Sequence, residues 1–538
     1  MDYNHFFNFY GYATQDGWIG MQTQLKAAGY DDSKVENTFG KGWSDNGVYP
    51  SEESLDKEGT FMSRNEQLGA IDADLDINKY ELVYGKGFVS KTKPKFLTFT
   101  ANEGGISKVG FIVFNDGYDL PEDYKKPSLQ YSIDGGKTWQ DYDLQISDDT
   151  TDATTIQLDG GESVMFRGNN ENLAYYLEAE GDNIFTRCYI EGSVAASGDI
   201  TSLLNGIGGD ATLASGCYNF MFDGCTGLTQ APALPATTLA DSCYNGMFYG
   251  CTGLTQAPAL PATTLASDCY NSMFDSCTGL TQAPALPATT LADNCYTGMF
   301  SSCTGLTQAP VLPATTLADS CYKSMFSGCT SLTQAPSLPA TTLAYSCYNS
   351  MFSGCTSLTQ APSLPATTLA ERCYIYMFSD CTGLTQAPAL PATTLADSCY
   401  SSMFSGCTGL TQAPALPVTT LASDCYNSMF ASCTGLTQAP ALPATTLASD
   451  CYSSMFDGCT EINSHDVETL NNSLNVFLDN LSCASFTIHA ETPPTIGFDT
   501  ITGLKADCII YVPAASVDAY KAAQYWSERA DYIQAMES

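Results

Sequence analysis

Basic residues are scarce in this chain. Of 538 residues, 21 are Lys or Arg against 58 Asp or Glu, a formal net charge of −37. Between residues 201 and 460 the only bases are Lys323 and Arg372, beside 13 acids. A phosphate-tracking groove needs clustered Lys and Arg, so the composition argues against nucleic-acid binding and against attraction to an anionic membrane. Histidine is also rare: His5, His465 and His489 are the three. The chain has no Cys-x-x-Cys, no Gly-x-Ser-x-Gly and no Gly-x-x-x-x-Gly-Lys. Zinc sites, hydrolase nucleophile elbows and phosphate loops thus lack their residues. The reading is non-enzymatic, with no catalytic residue, no metal and no cofactor. No run of 18 apolar residues occurs, so no membrane insertion is expected.

Cysteine, by contrast, is plentiful, and its placement is periodic. A first cysteine falls at 217, 243, 269 and every 26 residues to 451, and a second follows eight residues after each, from 225 to 459. The unit reads Cys-Tyr-x-x-Met-Phe-x-x-Cys-Thr-x-Leu-Thr-Gln-Ala-Pro-x-Leu-Pro-Ala-Thr-Thr-Leu-Ala-x-x, in ten copies without insertion or deletion. A fixed period of this length predicts stacked units, a solenoid. Ten rungs at roughly 4.8 Å make a rod about 48 Å long. Parallel cysteines on adjacent rungs are poorly aimed for a disulfide, so buried free thiols are expected.

Within a unit, Cys243, Tyr244, Met247, Phe248 and Cys251 fall at helical spacing and predict one face of a short helix. Leu254–Ala257 and Thr263–Leu265 predict short strands, limited by Pro258 and Pro261. Residues 1–90 are aromatic and irregular, an anchoring or docking segment with a short helix expected over Trp18–Ala28. Residues 91–196 carry short strand patterns bounded by Gly, Asp and Pro and predict a β-sandwich. Inside it, Ser132-Ile-Asp-Gly-Gly-Lys-Thr-Trp139 matches the Asp-box turn of sialidases. One copy reads as a structural hairpin, and a glycosidase is the weaker alternative. Residues 197–216 look like a degenerate half-unit that opens the solenoid of 197–460. Residues 461–538 form a C-terminal cap, with a helix over Val467–Leu481, a strand at Cys508–Val512 and a short helix after it.

These features resemble the BspA-like leucine-rich repeat family. Met247-Phe248-x-x-Cys251 fills the family's helical slot, Leu254–Pro261 its strand slot, and Ile509-Ile-Tyr-Val-Pro-Ala-Ala-Ser-Val-Asp-Ala-Tyr-Lys521 its closing segment. The resemblance is strongest from about 200 to 538. It implies a mainly β fold with short helices, a right-handed leucine-rich-repeat-like solenoid behind a β-sandwich. It also implies surface adhesion and partner binding, on bacteria or on phage particles, without catalysis. The unit is longer than is usual in the family, and the first ten residues carry no Sec-type signal. The expectation is a bacteriophage virion fibre or decoration, made in the host cytoplasm and displayed on the virion surface. A bacterial cell-surface adhesin is the alternative.

The ten copies can be compared with one another. They differ mainly in the two residues before the first cysteine and in the pairs two and three, and six and seven, residues after it. Most of these positions hold Ser, Asn, Gly or Asp, as a solvated face would. Phe220, Tyr249, Lys323, Tyr345, Glu371, Arg372, Ile375 and Tyr376 do not, and they are the candidate binding residues. Unit seven, Glu371-Arg-Cys-Tyr-Ile-Tyr376, departs most. The expected partners are a capsid or tail protein at residues 1–90, a host-surface protein or glycan at the repeat face, and a second copy of the chain. Recurrent Asp beside the first cysteine alternates between two positions, which does not make a calcium cage; it reads as solvated edge charge.

Overall fold

The computed structural model describes residues 95–537 except 116–119, 122, 177–182, 210, 470–483, 497–503 and 505, together with strands β1 (Tyr80–Val83) and β2 (Gly87–Ser90). The chain divides into two compact units, Met1–Lys95 and Phe96–Ser538. In the first, β1 and β2 pair antiparallel, Tyr80 opposite Ser90. The helix expected over Trp18–Ala28 lies outside the described residues.

The second unit starts with two sheets. Its strands are β3 (Leu97–Ala101), β4 (Ser107–Phe114), β5 (Leu129–Ser132), β6 (Gln140–Asp141), β7 (Gln145–Ser147), β8 (Thr154–Leu158), β9 (Ser163–Gly168), β10 (Ala174–Tyr176), β11 (Asn183–Glu191) and β12 (Val194–Ser197). One sheet runs β10-β11-β4-β7, with β8 also on β4. The other runs β12-β3-β9-β5-β6 and continues beyond β12 into β13 (Leu228–Gln230) of the first repeat. Alternation along β3 and β9 turns Leu97, Phe99, Val164 and Phe166 inward, where Phe99, Phe111 and Phe166 meet at centroid distances of 5.0–6.1 Å. The Asp-box segment is a turn: the Asp134 carboxylate accepts from the Lys137 and Thr138 amides and the Thr138 hydroxyl. Those bonds hold its carboxyl well below the usual range. The Arg167 guanidinium covers the Trp139 ring at 4.1 Å.

The opening half-unit seats the stack. Asp199 bridges Ala233 in parallel, the short helix α1 (Ser202–Asn205) follows, and Phe222 of the first unit meets Phe99 at 6.2 Å.

The segment between the two cysteines is not a helix. In unit two, alternate amides close turns, as Cys243→Ala240, Asn245→Ser242 and Met247→Tyr244. The amides between them donate to the next rung: Ser242→Ser267, Tyr244→Cys269, Gly246→Asn271 and Phe248→Met273. A left-handed φ recurs in every unit just before the first cysteine and three and seven residues after it, as at Ser242, Gly246 and Gly250. A helix would spend every amide within the segment; here half of them tie rung to rung. Tyr and Phe therefore form continuous ladders, Tyr218 to Tyr452 and Phe222 to Phe456, with neighbouring rings parallel within 10°. The strands expected at Leu254–Ala257 and Thr263–Leu265 reduce to single parallel bridges such as Thr238↔Thr264 and Gln282↔Gln308. Two prolines per rung remove the donors a longer ladder would use.

Every described cysteine is free and buried. The second cysteine of a unit does more than fill space. Its thiol donates to the phenylalanine carbonyl of the preceding rung, Cys251 to Phe222 and so on to Cys459 and Phe430, at 3.0–3.1 Å. Burial pushes the thiols up, Cys269 and Cys355 to about 12, so they are poor nucleophiles.

Four parallel strands close the stack: β14 (Ser464–Val467), β15 (Ser485–Ile488), β16 (Ile509–Val512) and β17 (Ile533–Ala535). Val467, expected to begin a helix, instead ends β14 and bridges Leu442; residues 470–481 of that expectation lie outside the described residues. The strand at 509–512 and the helix after it, α2 (Val517–Ala522), are present. His465 on β14 caps the phenylalanine ladder, 4.8 Å from Phe456.

Candidate functional site

The variable positions of the repeat have two causes that the sequence comparison did not separate. The first is backbone conformation. The left-handed positions hold Ser, Asn, Asp or Gly in most units because those residues tolerate αL best or are small enough to fit beside the next rung. A Cβ on Gly246 would collide with the Phe220 ring, and one on Gly406 with the Asp380 carboxylate. Several of these residues are buried, among them Ser346 and Ser402, so they do not form the uniform solvent face expected of them.

The second cause is rung-to-rung bonding. The Asp two places before the first cysteine accepts from the backbone of the next rung, Asp241 from Ser267, Asp293 from Asp319, Asp319 from Tyr345 and Asp397 from Ser423, each at 3.0–3.1 Å. The Asp one place before it, at 268, 424 and 450, sits in the left-handed region. The alternation that looked like loose edge charge is thus two structural roles at adjacent positions. Among the described residues no cluster of three metal-ligating side chains occurs.

With these roles removed, the eight candidate residues separate. Phe220 is not on an open face. It packs edge-on against Phe185 at 5.6 Å and lies over Gly246, so it belongs to the joint between the two sheets and the stack. The sequence could not show this, because Phe185 lies 35 residues earlier, on β11. Tyr249 is exposed but five units away from Arg372, and Lys323 is exposed without a described side-chain partner. The remaining five lie on two adjacent rungs, and three of them are in contact. Arg372 donates from Nη1 to the Tyr345 hydroxyl at 3.1 Å, its guanidinium carbon 6.0 Å from that ring, and Glu371 Oε1 lies 3.7 Å from Arg372 Nε. Tyr345 is 40% and Tyr376 44% exposed, and Ile375 is half-buried beside them.

Arg372 and Tyr376 also occupy two of unit seven's three left-handed positions, at φ of 57° and 54°, and Asp380 occupies the third at 58°. A non-glycine residue there costs about 1–2 kcal/mol. For Phe220, at φ 51°, packing on Phe185 offsets that cost. Tyr376, 44% exposed, has no described ring contact of the kind that holds Phe220. The patch offers two exposed aromatic rings on adjacent rungs, a guanidinium bonded to the hydroxyl of one, and a carboxylate. It can stack on a ring or sugar face and bond polar groups, and it carries no nucleophile–base pair.

The BspA type leucine rich repeat region matches this chain in six copies, over residues 216–333, 298–437 and 376–494. No curated protein sequence matches it at a significant level. Together the repeat matches span more than half of the molecule, and the chain belongs to the BspA-type leucine-rich repeat family.

Proposed function

We infer that this protein is a non-enzymatic adhesion rod. Its repeats form the expected right-handed solenoid behind a β-sandwich, and it contacts a host-surface protein or glycan through Tyr345, Glu371, Arg372, Ile375 and Tyr376. BspA-type repeats point to a surface or adhesion-type protein. The observation that carries the choice of site is Tyr376, a large exposed ring held at a left-handed φ where the flanking units have Ser350 and Ser402. Neighbouring units show that serine fits the backbone there, so stability alone does not explain tyrosine. Aromatic and Arg side chains are also the types that dominate binding energy at protein surfaces.

Changing Ile375 and Tyr376 together to Ser should leave the melting temperature unchanged or higher and weaken attachment to target cells by at least about tenfold, the loss of a strong contact residue. Undiminished attachment would refute this site. The proposed carrier is a virus particle, with residues 1–90 as the anchor to a capsid or tail protein. Antibody labelling of purified particles tests that, and label confined to a bacterial envelope would favour a cell-surface adhesin.

A further inference from the structure

We propose a second binding site, independent of unit seven: the cleft of the two-sheet domain between loop 123–128 and loop 169–173 holds a neutral saccharide. The cleft encloses ≈ 500 Å³, inside the range of small-molecule sites. Its loops are fixed before any ligand arrives. Asn170 staples them: its Oδ1 accepts from the Ser128 amide at 2.9 Å, and its Nδ2 donates to the Ser128 and Leu203 carbonyls at 3.1 and 2.8 Å. Asn172 ties the second loop to the repeat stack through the Ser215 carbonyl, and its Oδ1 accepts from the Leu173 and Ala174 amides. A site rigid in this way loses little entropy on binding.

Two aromatic rings line the cleft. Tyr124 and Tyr175 meet edge to face at 5.8 Å and 86°, and the Tyr175 hydroxyl donates to Asp123 Oδ1 at 2.8 Å, which fixes the ring. The negative face of such a ring suits the polarised C–H groups of a pyranose. Lys125 and Glu171 line the same cleft, exposed, and neither has a hydrogen bond or ion pair among the described residues. An ammonium supplies donors and a carboxylate supplies acceptors, the combination that vicinal hydroxyls can use, since each both donates and accepts. The lining carboxylates Asp123 and Glu171 balance the ammonium groups of Lys125 and Lys126. That balance favours a neutral ligand over a phosphate or a polycation, in a protein whose overall charge is strongly negative.

The test is an array of immobilised neutral glycans, charged glycans and peptides, probed with the full chain, followed by calorimetry with the best free neutral oligosaccharide. The Lys125→Ala/Glu171→Ala double variant removes two exposed, unpaired side chains and should keep the melting temperature. It should lose at least tenfold in affinity, while the Ile375→Ser/Tyr376→Ser variant binds the same oligosaccharide unchanged. Asp123→Asn keeps an acceptor for Tyr175 and should show an intermediate loss. Binding that survives Lys125→Ala/Glu171→Ala, binding confined to charged glycans or peptides, or no glycan binding by the full chain would overturn the proposal. Saccharide binding lost only in the unit-seven variant would overturn it too, while leaving the adhesion reading intact.

Discussion

Phenylalanine builds the core in both parts of the second unit, by different geometry. Between the two sheets, Phe99, Phe111 and Phe166 meet at 58–83°. In the repeat stack, Phe222 to Phe456 lie within 3–7° of parallel, 5.3–5.8 Å apart. Isolated aromatic pairs favour tilted or offset contacts over full overlap. The sheets satisfy that preference ring by ring, with neighbours that are distant in sequence. The stack has no such choice, because a translation of one rung carries each ring onto the next in the same orientation. A ring between the sheets therefore has a unique role, whereas a ring in the stack is one of a series. Individuality in the stack moves to its edge, where unit seven breaks the series.

The largest test of that contrast is truncation of a core ring. Phe166→Ala and Phe352→Ala should each cost about 3–5 kcal/mol in urea unfolding. The costs at Phe300, Phe326 and Phe352 should agree within about 0.5 kcal/mol, since their surroundings repeat; a wide spread would show that the rungs are not equivalent.

The next effect lies where the phenylalanine series ends. His465 is buried against Phe456, and neither ring nitrogen has a hydrogen-bond partner among the described residues. Burial lowers its pKa to about 4 from 6.5. The folded-state value is depressed, so the unfolded chain binds the proton first as the pH falls. Stability is then full above about pH 6.5, declines between 6.5 and 4, and levels below 4, with a loss of about 3 kcal/mol. His465→Phe extends the ladder by one ring and should abolish this part of the pH dependence. Equal slopes for both proteins in unfolding measured from pH 7 to pH 4 would contradict it.

At the edge the sign reverses. Tyr376→Gly should raise stability by about 1–2 kcal/mol, by relieving the left-handed φ, while it weakens attachment. A destabilising result would mean that the ring packs more than its exposure suggests. The smallest effect separates the two cysteine series. Cys303 donates to the Phe274 carbonyl at 3.0 Å, and Cys295 has no comparable thiol bond to another rung. Cys303→Ala should cost more than Cys295→Ala by on the order of 1 kcal/mol, read from paired denaturant curves.

Much of the architecture could be read from the residues. Leu97–Ala101, Ser107–Phe114, Leu129–Ser132 and Ser163–Gly168 are strands because their alternation and their bounding turns are local signals. β11 (Asn183–Glu191) pairs with β10 close by in sequence and with β4, 71 or more residues away; a turn signal such as Gly192-Ser193 marks where it ends but not its distant partner. The Cys-to-Cys segment was read as a helix because spacings of four and five also fit a chain of turns whose inward residues recur every four. Helical periodicity reports which side chains are buried, not where the amides donate. In the candidate site, Tyr345 and Arg372 could be paired from the period alone, whereas Phe220 needed Phe185, a contact no repeat comparison contains.

The 26-residue period by itself determined that identical side chains lie over one another, and hence that the cysteines, tyrosines and phenylalanines form buried ladders and not a disulfide net. Periodicity in sequence becomes translation in space, and translation fixes neighbours. Only the tertiary structure decided how each rung bonds to the next, because that depends on backbone dihedrals: a left-handed residue every four places turns alternate amides outward to the following rung. The same dihedrals separate the edge positions that are small for backbone reasons from Arg372 and Tyr376, which occupy them against that preference.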